Sequence, residues 1–196
     1  FPTTTGAHDT TLGGLADGFV VRFDSDLTGA SQLVWSTYFG GANDFEATYE
    51  VAVDGAGRAN IAALTDSASL ATAGAPDTSV DGVDAMLVTF EPAGTVSFAT
   101  YLGGSGFELP RGVAIDRQRR ALMVGSTTSN DLPLGVAPFD SSPGAAGSDG
   151  FLARYTSLAD LVVDTSRLPP GELKRILAGQ YAGSAKRALK VFLTSF

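Results

Sequence analysis

Large apolar residues alternate with smaller or polar ones over short stretches of this chain, and one such stretch occurs three times. Residues 17–24 read Asp-Gly-Phe-Val-Val-Arg-Phe-Asp, and similar segments follow at 84–91 and 149–155, at spacings of 67 and 65 residues. Phe19, Val21 and Phe23 fall on one face of an extended segment, because successive side chains of a strand point to opposite sides. The pattern predicts a β-strand in each copy.

Two further segments recur in the same order. Residues 35–41 return as residues 98–104, and residues 51–61 return as residues 113–123. The second of these predicts a hairpin, since the Asp54-Gly55-Ala56-Gly57 sequence favours a turn between two apolar stretches. Each unit is therefore expected to hold four strands, at about 19–24, 33–39, 49–53 and 59–64. Four short strands in a unit of this length are typical of one propeller blade.

Taken together, these segments resemble the bacterial seven-bladed β-propeller repeats of exported proteins. The residues that carry the resemblance are 35–41, 98–104, Gly125-Ser126-Thr127-Thr128-Ser129, Asp131-Leu132-Pro133 and the opening Phe1-Pro2-Thr3-Thr4-Thr5-Gly6-Ala7. It covers residues 1 to about 156 and implies a propeller exported to the periplasm, the cell surface or the medium. It implies no single activity, because the fold carries many functions.

The sequence departs from the repeat pattern in two loops. Arg117-Gln118-Arg119-Arg120 stands where the first unit has a glycine-containing turn, and residues 65–80 lack the Phe-Pro pair that opens the chain.

The expected fold class is all-β, a β-propeller-type repeat of four-stranded antiparallel blades with a C-terminal helical tail. The repeats are assigned to residues 1–164, with units near 17–83, 84–148 and 149–164. This amounts to about two and a half blades, whereas a closed propeller has roughly four to eight. An open array leaves sheet edges and apolar faces uncovered. We therefore expect the 196 residues, which open without an initiator Met, to be a trimmed product or fragment, or to complete a ring with other chains.

The composition agrees with an all-β fold. The chain has 24 glycines, and glycine is favoured in the turns that join short strands. It has no cysteine, which excludes disulfides, thiolate metal sites and thiol catalysis. The longest apolar runs are only a few residues, far short of the roughly 20 that a transmembrane helix needs.

Charge divides the chain into two regions. Residues 1–164 carry seven arginines and twenty acidic residues, a net charge of −13, whereas residues 165–196 carry six basic residues and one acid, a net charge of +5. The acidic region argues against nucleic acid as a partner. Residues 165–196 are predicted to be a basic amphipathic helix. Its candidate partner-binding residues are Lys174, Arg175, Lys186, Arg187 and Lys190. They could contact the acidic repeats, a separate protein or an anionic membrane surface.

Candidates for chemistry are few. His8 is the only histidine, and no zinc-protease, phosphate-loop or dinucleotide motif occurs, so no catalytic residue and no cofactor is assigned. Asp24, Asp26 and Thr28 have the spacing that begins a calcium loop, but Trp35 stands where the closing acid should be. An ordinary turn is the preferred interpretation, and a calcium site is the alternative.

These observations favour a non-catalytic, extracytoplasmic scaffolding or protein-interaction subunit of a larger assembly. A carbohydrate-binding or cell-surface-binding adhesin module is the first alternative, and it requires clustered, exposed aromatic side chains. A propeller enzyme is the second alternative, and it requires a carboxylate pair or a metal in a central channel.

Overall fold

The computed structural model describes residues 1–42, 45–133 and 147–155, and the backbone of residues 159–164. These parts of the chain contain ten β-strands and a short 3₁₀ turn at Gly29–Gln32. The strands are β1 (Gly18–Phe23), β2 (Leu33–Phe39), β3 (Glu46–Val53), β4 (Ala59–Thr65), β5 (Asp84–Phe90), β6 (Val96–Leu102), β7 (Glu108–Ile115), β8 (Ala121–Thr127), β9 (Asp149–Tyr155) and β10 (Ala159–Asp164).

The strands form three antiparallel sheets. The first contains β1 and β2, the second has the order β3-β4-β5-β6, and the third has the order β7-β8-β9-β10. The four strands expected in the first unit are all present, but two lie in the first sheet and two in the second. Each four-stranded sheet thus joins the second half of one repeat to the first half of the next. The Gly40-Gly41 pair that follows β2 leads the chain from one sheet to the next.

The central strand pairs have matching registers in the second and third sheets. The Asp that begins β5 or β9 faces a threonine, and the large side chains that follow it face small residues. In the second sheet the facing pairs are Asp84 with Thr65, Met86 with Ala63, and Phe90 with Ala59. In the third sheet they are Asp149 with Thr127, Phe151 with Gly125, and Tyr155 with Ala121.

The core consists of two apolar clusters, one at each junction between neighbouring sheets. Between the first and second sheets, the cluster includes Val20, Trp35, Phe39, Met86, Val88 and Phe90. Between the second and third sheets, it includes Ala62, Leu87, Leu102, Val113, Met123, Phe151 and Tyr155. Trp35 also donates a hydrogen bond from Nε1 to the carbonyl oxygen of Pro92 at 2.9 Å. The sheets are therefore held face to face by buried apolar side chains.

Irregular segments cover the outer edges of β2 and β6 in the same way. Residues 1–9 lie along β2, where the Thr4 amide donates to the Ser36 carbonyl oxygen at 3.1 Å and the Tyr38 amide donates to the Asp9 carbonyl oxygen at 3.1 Å. Residues 72–77 repeat these contacts along β6. The second copy lacks the Phe-Pro pair but docks in the same way, because Thr72 and Asp77 make the contacts that Thr4 and Asp9 make in the first copy. Covered edges cannot recruit other strands.

The fold-class prediction was wrong as stated, because it combined propeller blades with a helical tail. The described residues form antiparallel sheets, and they contain no α-helix. The tail, residues 165–196, lies outside the described residues, and nothing in the structure supports a helix there. Helical spacing was weak evidence, since glycines and prolines interrupt that stretch. In the described part of the chain, no helix is long and apolar enough to span a membrane.

Candidate functional site: the open face of the first sheet

The first sheet exposes a side chain that the later repeats bury. Phe23 and Phe90 are the same residue type at equivalent positions, yet Phe23 is 68% exposed and Phe90 is fully buried. Tyr155, which follows at the same position of the third copy, is also buried. Because the sequence is alike at the three positions, the difference in exposure comes from the neighbouring strands.

Phe19 shows the same contrast. It is 54% exposed, whereas its equivalents Met86 and Phe151 are buried. In the second sheet, β5 lies between β4 and β6, but in the first sheet β1 pairs with β2 and with no other strand of the described chain. Met86 and Phe90 are covered by Trp35 and Phe39 of the first sheet. Among the described residues, no sheet covers Phe19 in this way, and no strand pairs with the second edge of β1.

The neighbouring part of β3 is open as well. Val51 is 56% exposed and Val53 is 64% exposed, whereas Val113, the equivalent of Val51 in β7, is buried. The β3–β4 pair of the second sheet packs on β7 and β8 of the third. No corresponding hairpin packs on β3 within the described residues.

The free edge of β1 and the exposed side of β3 enclose a groove of about 470 Å³. We call this region the open groove. Its main apolar walls are Phe19, Val21, Phe23, Tyr49, Val51 and Val53. Arg22, Glu50 and Trp35 also border it. The Arg22 guanidinium donates to the Pro92 carbonyl oxygen at 2.7 Å, and the Glu50 carboxylate accepts the Val113 amide at 2.9 Å, so both charged groups are already engaged by the second and third sheets. The groove combines an unpaired strand edge with apolar side chains, which is the combination that a β-strand partner requires.

One corner of the first sheet carries an aromatic cluster. The Phe1 ring lies 4.6 Å from that of Phe19 and 5.5 Å from that of Tyr38, measured between ring centroids. Such a cluster is what the adhesin alternative requires. However, the equivalents of Phe19 and Tyr38 are Met86 and Tyr101, which are core residues. The cluster is therefore explained as part of a sheet-packing face.

Buried glutamates hold the loops between neighbouring sheets by hydrogen bonds. Glu46 begins β3, and its carboxylate accepts hydrogen bonds from the Thr65 hydroxyl at 2.8 Å and the Gly41 amide at 3.1 Å. Glu108 begins β7 and makes the equivalent bonds to Thr127 at 2.5 Å and Gly104 at 3.0 Å. Each glutamate thus fixes the loop that enters its sheet. The sequence repeats did not draw attention to either residue, although both occupy the same place in their units.

A second carboxylate lies beside each glutamate. A Cβ on Gly40 would come within 2.6 Å of Asp17 Oδ1 and 2.8 Å of Glu46 Oε2, and a Cβ on Gly103 would lie 2.1 Å from Asp84 Oδ1. The repeated glycines are therefore required by close carboxylates. The Oδ1 atoms of Asp17 and Asp84 are buried without a hydrogen-bond partner. Asp17 Oδ2 accepts the Gly13 amide at 2.8 Å, so this carboxylate caps the turn that precedes β1.

The pKa of Asp84 is raised to about 7, mainly by burial, with a smaller contribution from the neighbouring carboxylates of Glu108, Asp77 and Asp81, while a hydrogen bond from the Asp81 amide lowers it. Asp84 is thus protonated more easily than an ordinary aspartic acid. The Thr65 hydroxyl opposite it donates to Glu46 instead, which leaves Asp84 without that donor.

The predicted calcium candidates lie in the turn after β1. Asp24 Oδ1 accepts the Asp26 amide at 3.0 Å, which is a local side-chain turn. Asp26 and Thr28 are exposed, and Thr28 precedes the 3₁₀ turn without a side-chain cap. Within the described ranges, no three or more His, Cys, Asp or Glu side chains are grouped in a way that could hold a metal ion.

The predicted partner-binding residues of the tail, Lys174, Arg175, Lys186, Arg187 and Lys190, lie outside the described residues. Their role stays a prediction.

Comparison with protein families finds a match in one part of the chain. Residues 98–133, from β6 to just after β8, match a family described as a beta-propeller repeat. This supports a propeller-repeat family for the repeated part of the chain. A repeat of this kind indicates a protein-interaction module at most.

A match to a curated protein covers only a short segment. A segment of 38 residues is 50% identical to part of a nucleotide-binding protein from Paramagnetospirillum magneticum, which covers 19% of this chain and 12% of that protein. The chain therefore corresponds to only a small part of that relative.

Proposed function

We propose that this chain is a non-catalytic, extracytoplasmic scaffolding and interaction module that binds protein through the open groove. The observation that carries the proposal is the contrast between equivalent positions: Phe23 is largely exposed where Phe90 is buried, and Val51 is exposed where Val113 is buried. Among the described residues, side chains that are buried in the later repeats are exposed in the first. The extracytoplasmic location rests on the resemblance of residues 1–156 to exported repeats.

The chemistry of the groove favours a protein partner over a small ligand. Its walls are mostly aliphatic and aromatic side chains, and the charged groups of Arg22 and Glu50 are hydrogen-bonded to Pro92 and Val113. Large apolar side chains each contribute about 1.5–3 kcal/mol when they move from water into a packed interface. A free strand edge adds main-chain hydrogen bonds, which a peptide backbone satisfies along its whole length. The nucleotide binding in the name of the short match adds nothing to this argument, since its 38 residues cover 12% of that protein.

Association of the purified chain tests the proposal. Sedimentation velocity over a range of concentrations should reveal assemblies of the wild-type protein, because an exposed apolar edge is expected to bind a second sheet. The double variant Phe19→Lys, Phe23→Lys should raise the dissociation constant of the assembly at least tenfold and so shift the protein to monomer. Both side chains are already exposed, so the variant should keep the far-ultraviolet circular dichroism of the wild type.

Leu15 provides the matched control. It is 80% exposed and lies outside the groove, so Leu15→Lys removes a comparable apolar surface elsewhere. Assembly that persists in the Phe19, Phe23 variant, or is lost equally in the Leu15 variant, contradicts the proposal.

A further inference from the structure

A second cavity lies between the second and third sheets, where the β7–β8 turn meets the second sheet. It has a volume of about 580 Å³ and shares no lining residue with the open groove. Leu87, Phe98 and Tyr155 form apolar parts of its wall, and the exposed turn residues Gln118 and Arg119 border it. We call this region the turn cavity. Small-molecule sites typically have volumes of about 300–1,000 Å³, so the turn cavity is large enough for a small organic ligand.

The first junction has longer side chains at two positions that line the turn cavity in the second. Trp35 Nε1 and Arg22 Nη1 both donate to the Pro92 carbonyl oxygen, at 2.9 and 2.7 Å, and so bridge the first and second sheets. Phe98 and Thr89 occupy the equivalent positions in the second sheet, and both line the turn cavity. These shorter side chains leave a space beside them at the second junction.

The cationic group that can act on this space lies on the facing turn. Arg119 has a φ of 63°, in the left-handed region that its equivalent Gly57 adopts without strain. Within the described part of the chain, its guanidinium has no hydrogen bond or ion pair. Arg58 and Arg120 also border the cavity, but each forms an ion pair with an aspartate of its own turn. A strained residue that brings an unpaired cation to a cavity indicates an anionic ligand.

Three further polar groups of the turn cavity are hydrogen-bond acceptors. The Thr89 hydroxyl donates to Asn60 Oδ1 at 2.9 Å, and the Ser97 hydroxyl donates to the Thr89 carbonyl oxygen at 3.3 Å. Because both hydroxyl hydrogens are engaged, the two oxygens can only accept hydrogen bonds from a ligand. The Glu91 carboxylate is the third acceptor. An inorganic anion would leave these acceptors unmatched, and the Glu91 charge would repel it.

A ligand that matches this set carries a carboxylate together with several hydroxyl groups. The planar guanidinium fork pairs with a carboxylate through two parallel hydrogen bonds. We propose that the turn cavity binds an acidic sugar, a hexuronic acid, whose carboxylate pairs with Arg119. Its hydroxyl groups donate to Thr89, Ser97 and Glu91, and its ring packs against Phe98. This site lies apart from the open groove, so the inference goes beyond the proposed protein binding and does not rest on it.

Titration calorimetry of the whole 196-residue chain tests the ligand class. We expect galacturonate or glucuronate to bind, and galactose and inorganic phosphate to bind about tenfold more weakly or less. Galactose lacks the carboxylate, and phosphate lacks the hydroxyl groups on a carbon ring. The proposal is overturned if neither uronate binds, or if galactose or phosphate binds as tightly as the better uronate.

A third arm of the titration distinguishes the two sources of such a ligand. Trigalacturonate and triglucuronate carry the same chemistry in a chain. Tighter binding of a trisaccharide than of its monomer supports recognition of an acidic polysaccharide, and equal binding supports recognition of the free sugar acid.

Variants of the turn test the role of Arg119. Arg119→Gly removes the guanidinium and restores the residue of the equivalent turn, so it should weaken uronate binding about tenfold or more without loss of stability. Arg119→Lys keeps the charge but lacks the planar fork, and it should bind with intermediate affinity. Arg117→Gln is the matched control, because it removes a positive charge from the same turn at a residue that does not line the cavity.

The control should bind the uronate as the wild type does. If Arg119→Gly keeps wild-type affinity, or if Arg117→Gln weakens binding equally, Arg119 is not the anchor and the proposal is overturned. Neither result affects the proposed function, which depends on Phe19 and Phe23.

Discussion

The junction between the first and second sheets and the open face of the first sheet are built from equivalent strands, β5 and β1, but they meet different surroundings. At the junction, Met86 and Phe90 are buried against the first sheet. At the open face, Phe19 and Phe23 line a groove. A strand in a repeat protein does not bury its own face, since each unit depends on its neighbours for cover. The same sequence motif is therefore core in one place and binding surface in the other.

The largest expected effect compares two phenylalanines. Phe90→Ala should destabilise the protein by about 3–5 kcal/mol, the range for removal of a buried phenylalanine, because a cavity remains between the first and second sheets. Phe23→Ala, at the equivalent exposed position, should change the free energy of unfolding by less than about 1 kcal/mol. Urea unfolding followed by circular dichroism measures both. Equal losses in the two variants would mean that the first-sheet face is also buried.

The buried carboxylate at the second junction should make stability depend on pH. The folded pKa of Asp84 is about 7, above its ordinary value of 3.8. Below pH 3.8 both states are protonated, and between the two values only the unfolded state ionises. The contribution of Asp84 to stability is thus complete at low pH and is lost as the pH rises towards 7, by at most about 4 kcal/mol.

Asp84→Asn should remove this loss and flatten the stability profile between pH 4 and 7. Urea midpoints measured across that range test the expectation. Asp26→Asn is the control, since Asp26 is exposed in the turn after β1 and should leave the wild-type profile unchanged. A profile of Asp84→Asn that retains the wild-type slope would count against the buried, protonated Asp84.

The two junctions also differ at one aromatic position, and this difference should have a moderate effect. Trp35 donates its Nε1 hydrogen to the Pro92 carbonyl oxygen, whereas Phe98 occupies the equivalent position of the next repeat. Trp35→Phe makes the first junction like the second and should cost about 1–2 kcal/mol, because it removes one hydrogen bond and some apolar contact. Thermal unfolding measures the change.

The smallest expected effect concerns the hairpin turns. Gly57 has a φ of 80°, and Arg119, its equivalent, has a φ of 63°, in the left-handed region that favours glycine. Arg119→Gly should therefore stabilise the protein by about 0.5–1 kcal/mol, since it relieves backbone strain. The turn is otherwise the same, because the Arg119 amide donates to the Asp116 carbonyl oxygen at 3.0 Å, as the Gly57 amide does to that of Asp54 at 2.9 Å. A lower melting temperature for the variant would argue against strain at Arg119.

Much of the local structure could be predicted from the sequence. The alternation of Phe19, Val21 and Phe23 predicts β1, and its repetition predicts β5 and β9, which are confirmed. The apolar run Leu161-Val162-Val163 lies in a further strand, β10. The grouping of strands into sheets differed, because β3 and β4 pair with β5 rather than with β1 and β2. Strand pairing depends on contacts between distant residues, which alternation within one strand does not specify.

The candidate site, like the fold, could be predicted from the sequence only in part. The free edges of an incomplete array were expected from the number of repeats, but their location in the groove between β1 and β3 was not. The repeat pattern did not indicate Glu46 and Glu108, although they begin equivalent strands, five residues after Gly41 and four residues after Gly104. Their role depends on tertiary structure, because only the folded chain places the Thr65 and Thr127 hydroxyls within hydrogen-bond distance of their carboxylates.

By itself, the sequence determined the strands, the turns and the repeat, since these depend on side-chain alternation and on residues such as glycine and aspartate within a few positions of one another. Only the tertiary structure decided which strands share a sheet, why Gly103 must lack a side chain beside Asp84, and which copy of a repeated face stays open. Exposure is a property of neighbours in space, so identical motifs at Phe23 and Phe90 ended in different environments.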